Sequence, residues 1–378
     1  MWGLALGGAG ERPVRLLLIT PKLDPTDDLF GHVNGWAAAL AERVERLYVV
    51  ALWPGRPNLP PNARFSTLGK AADEAGAGSL VSRAGWLGRL QRIMARLCLR
   101  GEVDAVLAHM GPGFAVAAAP IARLAGRPTF LWYAHGHVSP LLRLAHVLVD
   151  GVGTSTSEGF RIPSRKVTIT GQGIDLALFR PSERWPAHER LLSVGRFSPV
   201  KQYETMIDAL AAPVLARHSS LTAEFVGGVH SGGEASYLKD LRARVRAHAL
   251  EGRVCFVEGR PHAEIVPTYQ RATLFATASV TGSLDKVVLE AAACGLAPIV
   301  CNPAFRELYG DQWSALSFGA QGDAAGLAER VASWLERSPA ERRGVALGLR
   351  EEIARSHGVD HWADAVVAMI ERGLRCRG

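Results

Sequence analysis

The sequence predicts an α/β protein built from two doubly wound, Rossmann-like parallel-sheet domains that face each other across a cleft. Three observations lead there. Short apolar runs alternate with segments of helical period along the chain. The runs are apolar at successive positions, as in parallel strands covered on both faces by helices. The alternation breaks once, in "GQGIDLALFRPSERWPAHER" (171–190), which holds Pro181 and Pro186 and no helical period. A chain of 378 residues has room for two domains of ordinary size.

In the first series the expected strands are "VRLLLIT" (14–20), "RLYVVALW" (46–53), "DAVLAHM" (104–110), "TFLWYAH" (129–135) and "LVDGVGT" (148–154). Between them, "HVNGWAAALAERV", "GWLGRLQRIMARLCL" and "FAVAAAPIARLAG" repeat apolar residues at i, i+3 and i+4 and read as helices. After the linker come "RLLSVG" (190–195), "LTAEFVG" (221–227), "RVCFVEG" (253–259), "ATLFATA" (272–278), "APIVC" (297–301) and "SALSF" (314–318) as strands. The segment "HWADAVVAMIERGLRC" (361–376) reads as an amphipathic closing helix. The expected units are residues 1–178, 179–358 and a C-terminal helix over 359–378 that returns towards the first domain.

Composition narrows the function classes. Apolar residues make up 48% and charged residues 21%, which excludes a disordered chain. A net charge of +7 favours anionic partners. No RNA-binding motif or aromatic-interleaved basic stretch accompanies that charge, so nucleic acid is not an expected partner. Five cysteines with no C-x-x-C pair read as reduced thiols, without a disulfide framework or a zinc site. The first residues lack a basic stretch followed by a long apolar core, and no window of about 18 apolar residues occurs, so a cytoplasmic protein is expected.

Ligands of open α/β sheets bind beyond the carboxyl ends of the strands, so the chemistry should lie in loops that follow strands. A dinucleotide fingerprint is not found there. The cluster "GGAG" (7–10) precedes its strand, and "GPG" (111–113) is not a full G-x-G-x-x-G. "SVGRFSPVK" (193–201) is more pointed. Arg196 and Lys201 follow a strand, with Lys201 expected to open a helix, an arrangement suited to an anion with several oxygens. In "TGSLDKVVLEAAACG" (281–295) Asp285 and Lys286 head an apolar helix that carries Glu290. An inward carboxylate there must be hydrogen-bonded, and a ribose diol is a natural donor pair. Asp285 is placed to cap that helix or to accept from a sugar hydroxyl, and Lys286 to pair with Glu290 or to reach a diphosphate. His135 ends a strand at the cleft, either facing ligand or capping the next helix.

Together these positions resemble the family-4 retaining glycosyltransferases of the GT-B fold. The resemblance runs through "GHVNGWAAALA" (31–41), "WYAHGHVSP" (132–140), "GQGIDLALF" (171–179), "SVGRFSPVK", "VCFVEGRPHAEIVPTY" (254–269) and "LEAAACGLAPIV" (289–300). It implies a first domain on the acceptor side and a second on the nucleotide-sugar donor side. It implies that Arg196 and Lys201 hold the donor diphosphate, that Glu290 binds the ribose, that His135 lies beside the transferred sugar, and that the backbone at Gly31 approaches the phosphates or the acceptor. The donor implied is a UDP- or GDP-sugar with no further cofactor, and the transfer is a same-face attack in which the departing phosphate accepts the acceptor's proton. No Asp-x-Asp triplet occurs, which fits a metal-independent transferase.

One stretch departs from the family. Members carry a Glu eight positions before Glu290, followed by Gly-Phe-Gly, whereas this chain has Gly282, Ser283, Leu284 and Asp285. The charge pair Asp285–Lys286 is therefore expected to take over work of the missing Glu. Two other readings stay open, a GT-B sugar-nucleotide epimerase and a non-catalytic sugar-nucleotide-binding protein. The acceptor is a sugar or a lipid-linked or cell-envelope glycan. The helix "GWLGRLQRIMARLCLRG" (85–101), with an apolar stripe beside Arg89, Arg92, Arg96 and Arg100, is a candidate contact to the anionic inner membrane face.

Overall fold

A computed structural model describes residues 13–70, 80–183, 186, 188–280 and 283–377. The first sheet contains β1 (Arg15–Thr20), β2 (Arg46–Ala51), β3 (Ala63–Thr67), β4 (Ala105–His109), β5 (Thr129–Trp132), β6 (Gly151–Thr154) and β7 (Val167–Ile169). The second contains β8 (Arg190–Val194), β9 (Thr222–Gly227), β10 (Val254–Glu258), β11 (Leu274–Thr277) and β12 (Pro298–Val300). Their orders are β3-β2-β1-β4-β5-β6-β7 and β10-β9-β8-β11-β12, with every ladder parallel. Strand order reverses beside β1 and again beside β8, so each sheet has a switch point at which a crevice opens.

The interior strands match the apolar runs because both of their faces are covered. β4 and β11 are buried at every position. The edge strands β3 and β7 escape a search for apolar runs: most of "ARFST" and all of "VTI" lie at least partly open to solvent. The segment 314–318 is not a strand. Its Ser317 forms one isolated bridge to Val300, directly after a short helical turn that buries Leu316.

The helices of the first sheet are α1 (His32–Ala41), α2 (Leu80–Met94), α3 (Pro112–Leu124) and α4 (Pro140–Leu148). Those of the second are α5 (Tyr203–Ala211), α6 (Gly232–Ala247), α7 (Val266–Arg271), α8 (Lys286–Ala293), α9 (Arg306–Tyr309), α10 (Trp313–Leu316), α11 (Ala324–Leu335) and α12 (Pro339–Ser356), and α13 (Val359–Arg375) follows them in the chain. Local chemistry sets several starts. Ser139 caps α4 ahead of Pro140, and Ser338 with Glu341 forms a capping box around Pro339 at the head of α12.

Helix α2 passes into a π-helical turn, Ala95–Leu99. Its Leu90, Met94 and Leu97 are buried in the core of the first domain. Those three residues of the apolar stripe are thereby committed to the interior, while Leu87 stays exposed. Arg89, Arg92, Arg96 and Arg100 are exposed. No described helix is long and apolar enough to cross a membrane.

The chain crosses between the sheets twice, and the two crossings are tied together. Ile174 donates its N–H to the His357 carbonyl at 2.7 Å and accepts from the Val359 N–H at 2.8 Å. Helix α13 then packs on the first domain, where Trp362, Val366, Met369 and Ile370 join Trp36, Phe130 and Trp132. Trp36 stacks on Trp362 at 4.1 Å and donates its indole N–H to the Gly173 carbonyl at 2.7 Å. Gly173 needs to be glycine: its φ is +68°, and a Cβ would stand 2.5 Å from the Trp36 ring nitrogen.

Candidate functional site

The carboxyl ends of both sheets open on one cleft of about 450 Å³. Six of the seven residues singled out in the sequence line it: His135, Arg196, Lys201, Asp285, Lys286 and Glu290. The seventh, Gly31, does not. It lies in the loop between β1 and α1, where a Cβ would stand 2.5 Å from the Asp27 carbonyl oxygen and 2.6 Å from the Cβ of His262. It is thus pinched between its own loop and the second domain, and it lines a smaller cavity of about 160 Å³ behind the cleft. His32, His262, Lys286 and Glu290 line both spaces and form the wall between them.

Arg196 leaves β8 and points towards α6. Its guanidinium meets Glu234 at 3.2 Å, and Glu234 also accepts the His230 backbone N–H at 2.7 Å. Lys201 does not open a helix. It closes a one-turn 3₁₀ segment, Pro199–Lys201, and Gln202 follows with φ +52° before α5 begins at Tyr203. Pro199 starts that tight turn, and the left-handed Gln202 separates it from α5. The turn swings the Lys201 ammonium to within 3.2 Å of the Asp285 carboxylate, and both side chains are largely buried.

Asp285 holds the cap position of α8, but its side chain makes no cap bond there and serves Lys201 instead. Lys286 does not pair with Glu290. Its ammonium sits 4.3 Å over the Trp36 ring and donates to the Gln172 carbonyl at 3.4 Å. Residues four apart share a helix face, yet here the lysine stem is drawn towards α1, where the indole face attracts the cation. Burial pushes the Lys286 ammonium down to about 7, against an upward pull from Glu290. Burial, reinforced by the Lys286 charge, holds His109 down at about 3 and His32 well below the usual range, so both imidazoles are neutral at pH 7. His109 shares a hydrogen bond of 2.9 Å with the Thr20 hydroxyl.

Glu290 is 4% exposed. It meets the requirement for a buried carboxylate: His262 Nε2 lies 3.0 Å from one oxygen, and the Tyr269 hydroxyl donates to the other at 3.1 Å. Burial, with Glu290 adding to it, raises the Tyr269 phenol well above its usual range and keeps it a donor.

His135 is exposed at the cleft and accepts the His137 backbone N–H on Nδ1 at 3.1 Å. Capping of the next helix falls to Ser139. Gly282, the position of the missing glutamate, and the glycine cluster at 7–10 lie outside the described residues.

Sequence reasoning gave no role to Gln172, Glu234, His262 or Tyr269. The last two stand in "GRPHAEIVPTY", inside a stretch that carried the resemblance, but no spacing rule links them to Glu290, 28 and 21 residues on. A pair across the cleft, His230 with Asp28 at 3.3 Å, was equally unsignalled. Among the described residues no three His, Cys, Asp or Glu side chains converge as a metal site.

Comparisons with known proteins fit this geometry. Residues 178–346 match the family described as glycosyl transferases group 1. A D-inositol 3-phosphate glycosyltransferase of Thermobispora bispora is 32% identical over 152 residues, covering 36% of this chain and 35% of that protein. The protein of the same description from Mycolicibacterium paratuberculosis is 26% identical over 226 residues, 56% of this chain and 48% of that one. The chain spans about a third to a half of the length of these curated relatives. Among solved structures, a sucrose-phosphate synthase from Thermosynechococcus elongatus superposes with a TM-score of 0.73 at 18% identity, covering 96% of this chain and all of that one. Anabaena Alr3699/HepE, solved in complex with UDP and glucose, gives 0.73 at 19% identity over 95% and 99% of the two chains. The chain has the GT-B fold, and its segment 178–346 matches the family described as glycosyl transferases group 1.

Proposed function

We propose that the protein transfers a glycosyl group from a UDP- or GDP-sugar to a sugar or lipid-linked acceptor, with retention of configuration. One observation carries this reading: Arg196, Lys201 and Glu290, distant in sequence, line a single cleft at the carboxyl ends of both sheets. Two cations at the end of β8 suit the diphosphate, and Glu290 suits the ribose hydroxyls. Anabaena Alr3699/HepE, with the same fold, was solved with UDP and with UDP-glucose, which supports a nucleotide-sugar donor here. In the same-face route the leaving phosphate takes the acceptor's proton, and Arg196 and Lys201 stabilise the charge that develops on it.

Isothermal calorimetry with UDP and GDP tests the clamp. Arg196→Ala and Lys201→Ala are each expected to weaken the binding nucleotide by about 1–3 kcal/mol, the scale of a charge-assisted hydrogen bond. Unchanged affinity in both variants would remove the assignment. Turnover is expected to persist in excess EDTA, because cationic side chains do the work that a metal does elsewhere. Loss of activity restored by magnesium or manganese would contradict that.

Asp285 should act with the opposite sign. Its carboxylate offsets the Lys201 charge at 3.2 Å, so Asp285→Asn is expected to tighten nucleoside-diphosphate binding by about 3–10-fold. Unchanged or weaker binding would mean that the ion pair persists beside bound nucleotide. The same pairing gives a second reading its one support: a carboxylate on the phosphate-binding lysine suits a protein that only holds sugar nucleotides. Donor turnover above background excludes that reading.

A further inference from the structure

Lys286 is not absorbed by the diphosphate role given to Arg196 and Lys201. Those two side chains each face a carboxylate, Glu234 and Asp285. Among the described residues Lys286 has no carboxylate within ion-pairing distance. Its ammonium has the Trp36 ring at 4.3 Å and the Gln172 carbonyl at 3.4 Å. The Gln172 side chain, 7% exposed, donates to the Leu284 carbonyl at 3.4 Å. Its Oε1 has no hydrogen-bond partner among the described residues. Both Lys286 and Gln172 line the interdomain cleft. The neighbouring imidazoles His32 and His109 are neutral and supply no counter-charge.

The cleft floor therefore holds a cation with no directly paired carboxylate, only the field of Glu290, beside a buried acceptor without a donor among the described residues. Buried polar groups left in that condition are costly, and a ligand that satisfies both removes the cost. The matching chemistry is an anionic oxygen with a hydroxyl next to it. Lys286 meets Trp36 of α1 and Gln172 of the crossing segment, partners that neither Arg196 nor Lys201 shares.

We propose that the sugar end of this cleft recognises an acidic group, a carboxylate or a phosphate ester on the transferred sugar or on the acceptor, through Lys286, with Gln172 accepting from a neighbouring hydroxyl. The proposal rests on reading the cleft as a glycosyl-transfer site.

Sulfate is the probe, because it stays a dianion across the pH range used. Full-length protein is saturated with UDP or GDP, so that the diphosphate clamp is filled, and sulfate binding is measured by calorimetry. Wild type is expected to bind sulfate about tenfold more tightly at about pH 6 than at about pH 8, since only the protonated Lys286 attracts it and its pKa is about 7. Lys286→Arg should keep the affinity and lose most of the pH dependence. Lys286→Met should bind sulfate at least about tenfold more weakly at about pH 6, with nucleotide affinity kept as evidence of an intact fold. Equal sulfate affinity in wild type and Lys286→Met would overturn the proposal.

Competition then identifies the source. Displacement of sulfate by UDP-glucuronate but not by UDP-glucose assigns the acidic group to the transferred sugar. Displacement by glucose 6-phosphate but not by glucose assigns it to the acceptor. If neither UDP nor GDP binds, the transferase reading falls, while the difference between wild type and Lys286→Met in sulfate titration of the free protein still decides this proposal.

Discussion

Replacing Glu290 by Gln is expected to lower nucleoside-diphosphate affinity by about 10–100-fold, the loss of one to two charge-assisted hydrogen bonds. A carboxylate offers about four acceptor positions. Glu290 uses two, towards His262 and Tyr269, in a wall that also lines the cleft. The remaining positions suit the two hydroxyls of a ribose. Glutamine keeps the shape, yet turns one oxygen into a donor, which then meets either the Tyr269 hydroxyl or the His262 ring. His262 accommodates it by changing tautomer, so the fold should hold while the charge is lost. A comparison of ligands separates this from a general loosening. In wild type the 2′,3′-dideoxy nucleotide should bind at least about tenfold more weakly than the ribonucleotide, and in Glu290→Gln the two should agree within about threefold. The same deoxy penalty in both proteins would place the ribose elsewhere.

Much of this arrangement was legible because parallel sheets write themselves as apolar runs. β1, β4, β8, β9 and β11 fall within the expected segments, and the loops and helix starts that follow β8 and β11 supply Arg196, Lys201, Asp285, Lys286 and Glu290. What was illegible depends on directions that sequence spacing does not carry. The i, i+4 relation between Lys286 and Glu290 suggested a pair, but it cannot register the Trp36 face and the Gln172 carbonyl, which come from residues more than one hundred positions away. Asp285 has the identity and position of a helix cap, and only the turn at Gln202 brings Lys201 near enough to claim it. The stripe of α2 shows the reverse limit. Periodicity identifies an apolar face correctly and is silent on whether a sheet or a lipid surface covers it; the burial of Leu90, Met94 and Leu97 assigns those residues to the core, and Leu87 stays exposed. Gly31 was placed near the phosphates or the acceptor by resemblance, and the structure adds a reason for glycine that spacing does not carry, the close approach of the Asp27 carbonyl and His262.

Lys286→Met is expected to stabilise the protein by about 2 kcal/mol at neutral pH, raising the melting temperature by about 4–8 °C. The wild-type ammonium is held down at about 7 from an ordinary 10.5, mainly by burial. Each unit of such a shift corresponds to about 1.4 kcal/mol; the shift already contains the pull of Glu290, and the contact of the charge with the Trp36 face returns part of the cost. Methionine matches the stem in length and has no charge to desolvate. The sign with pH follows from proton binding. Between its folded and unfolded pKa values the unfolded chain binds more protons at this position, so wild-type stability rises with pH there. The penalty is complete below about pH 7 and fades as pH approaches about 10.5. The advantage of Lys286→Met should therefore be largest at neutral and mildly acidic pH and shrink steadily in alkaline solution. Lys286→Arg, which keeps its charge throughout, should gain nothing from alkaline pH through this position. Parallel stability curves for wild type and Lys286→Met across that range would show that the ammonium is solvated and not strained. A steep convergence would show that the fold carries, at the floor of its cleft, a desolvated cation, whose remaining cost a bound anion would offset.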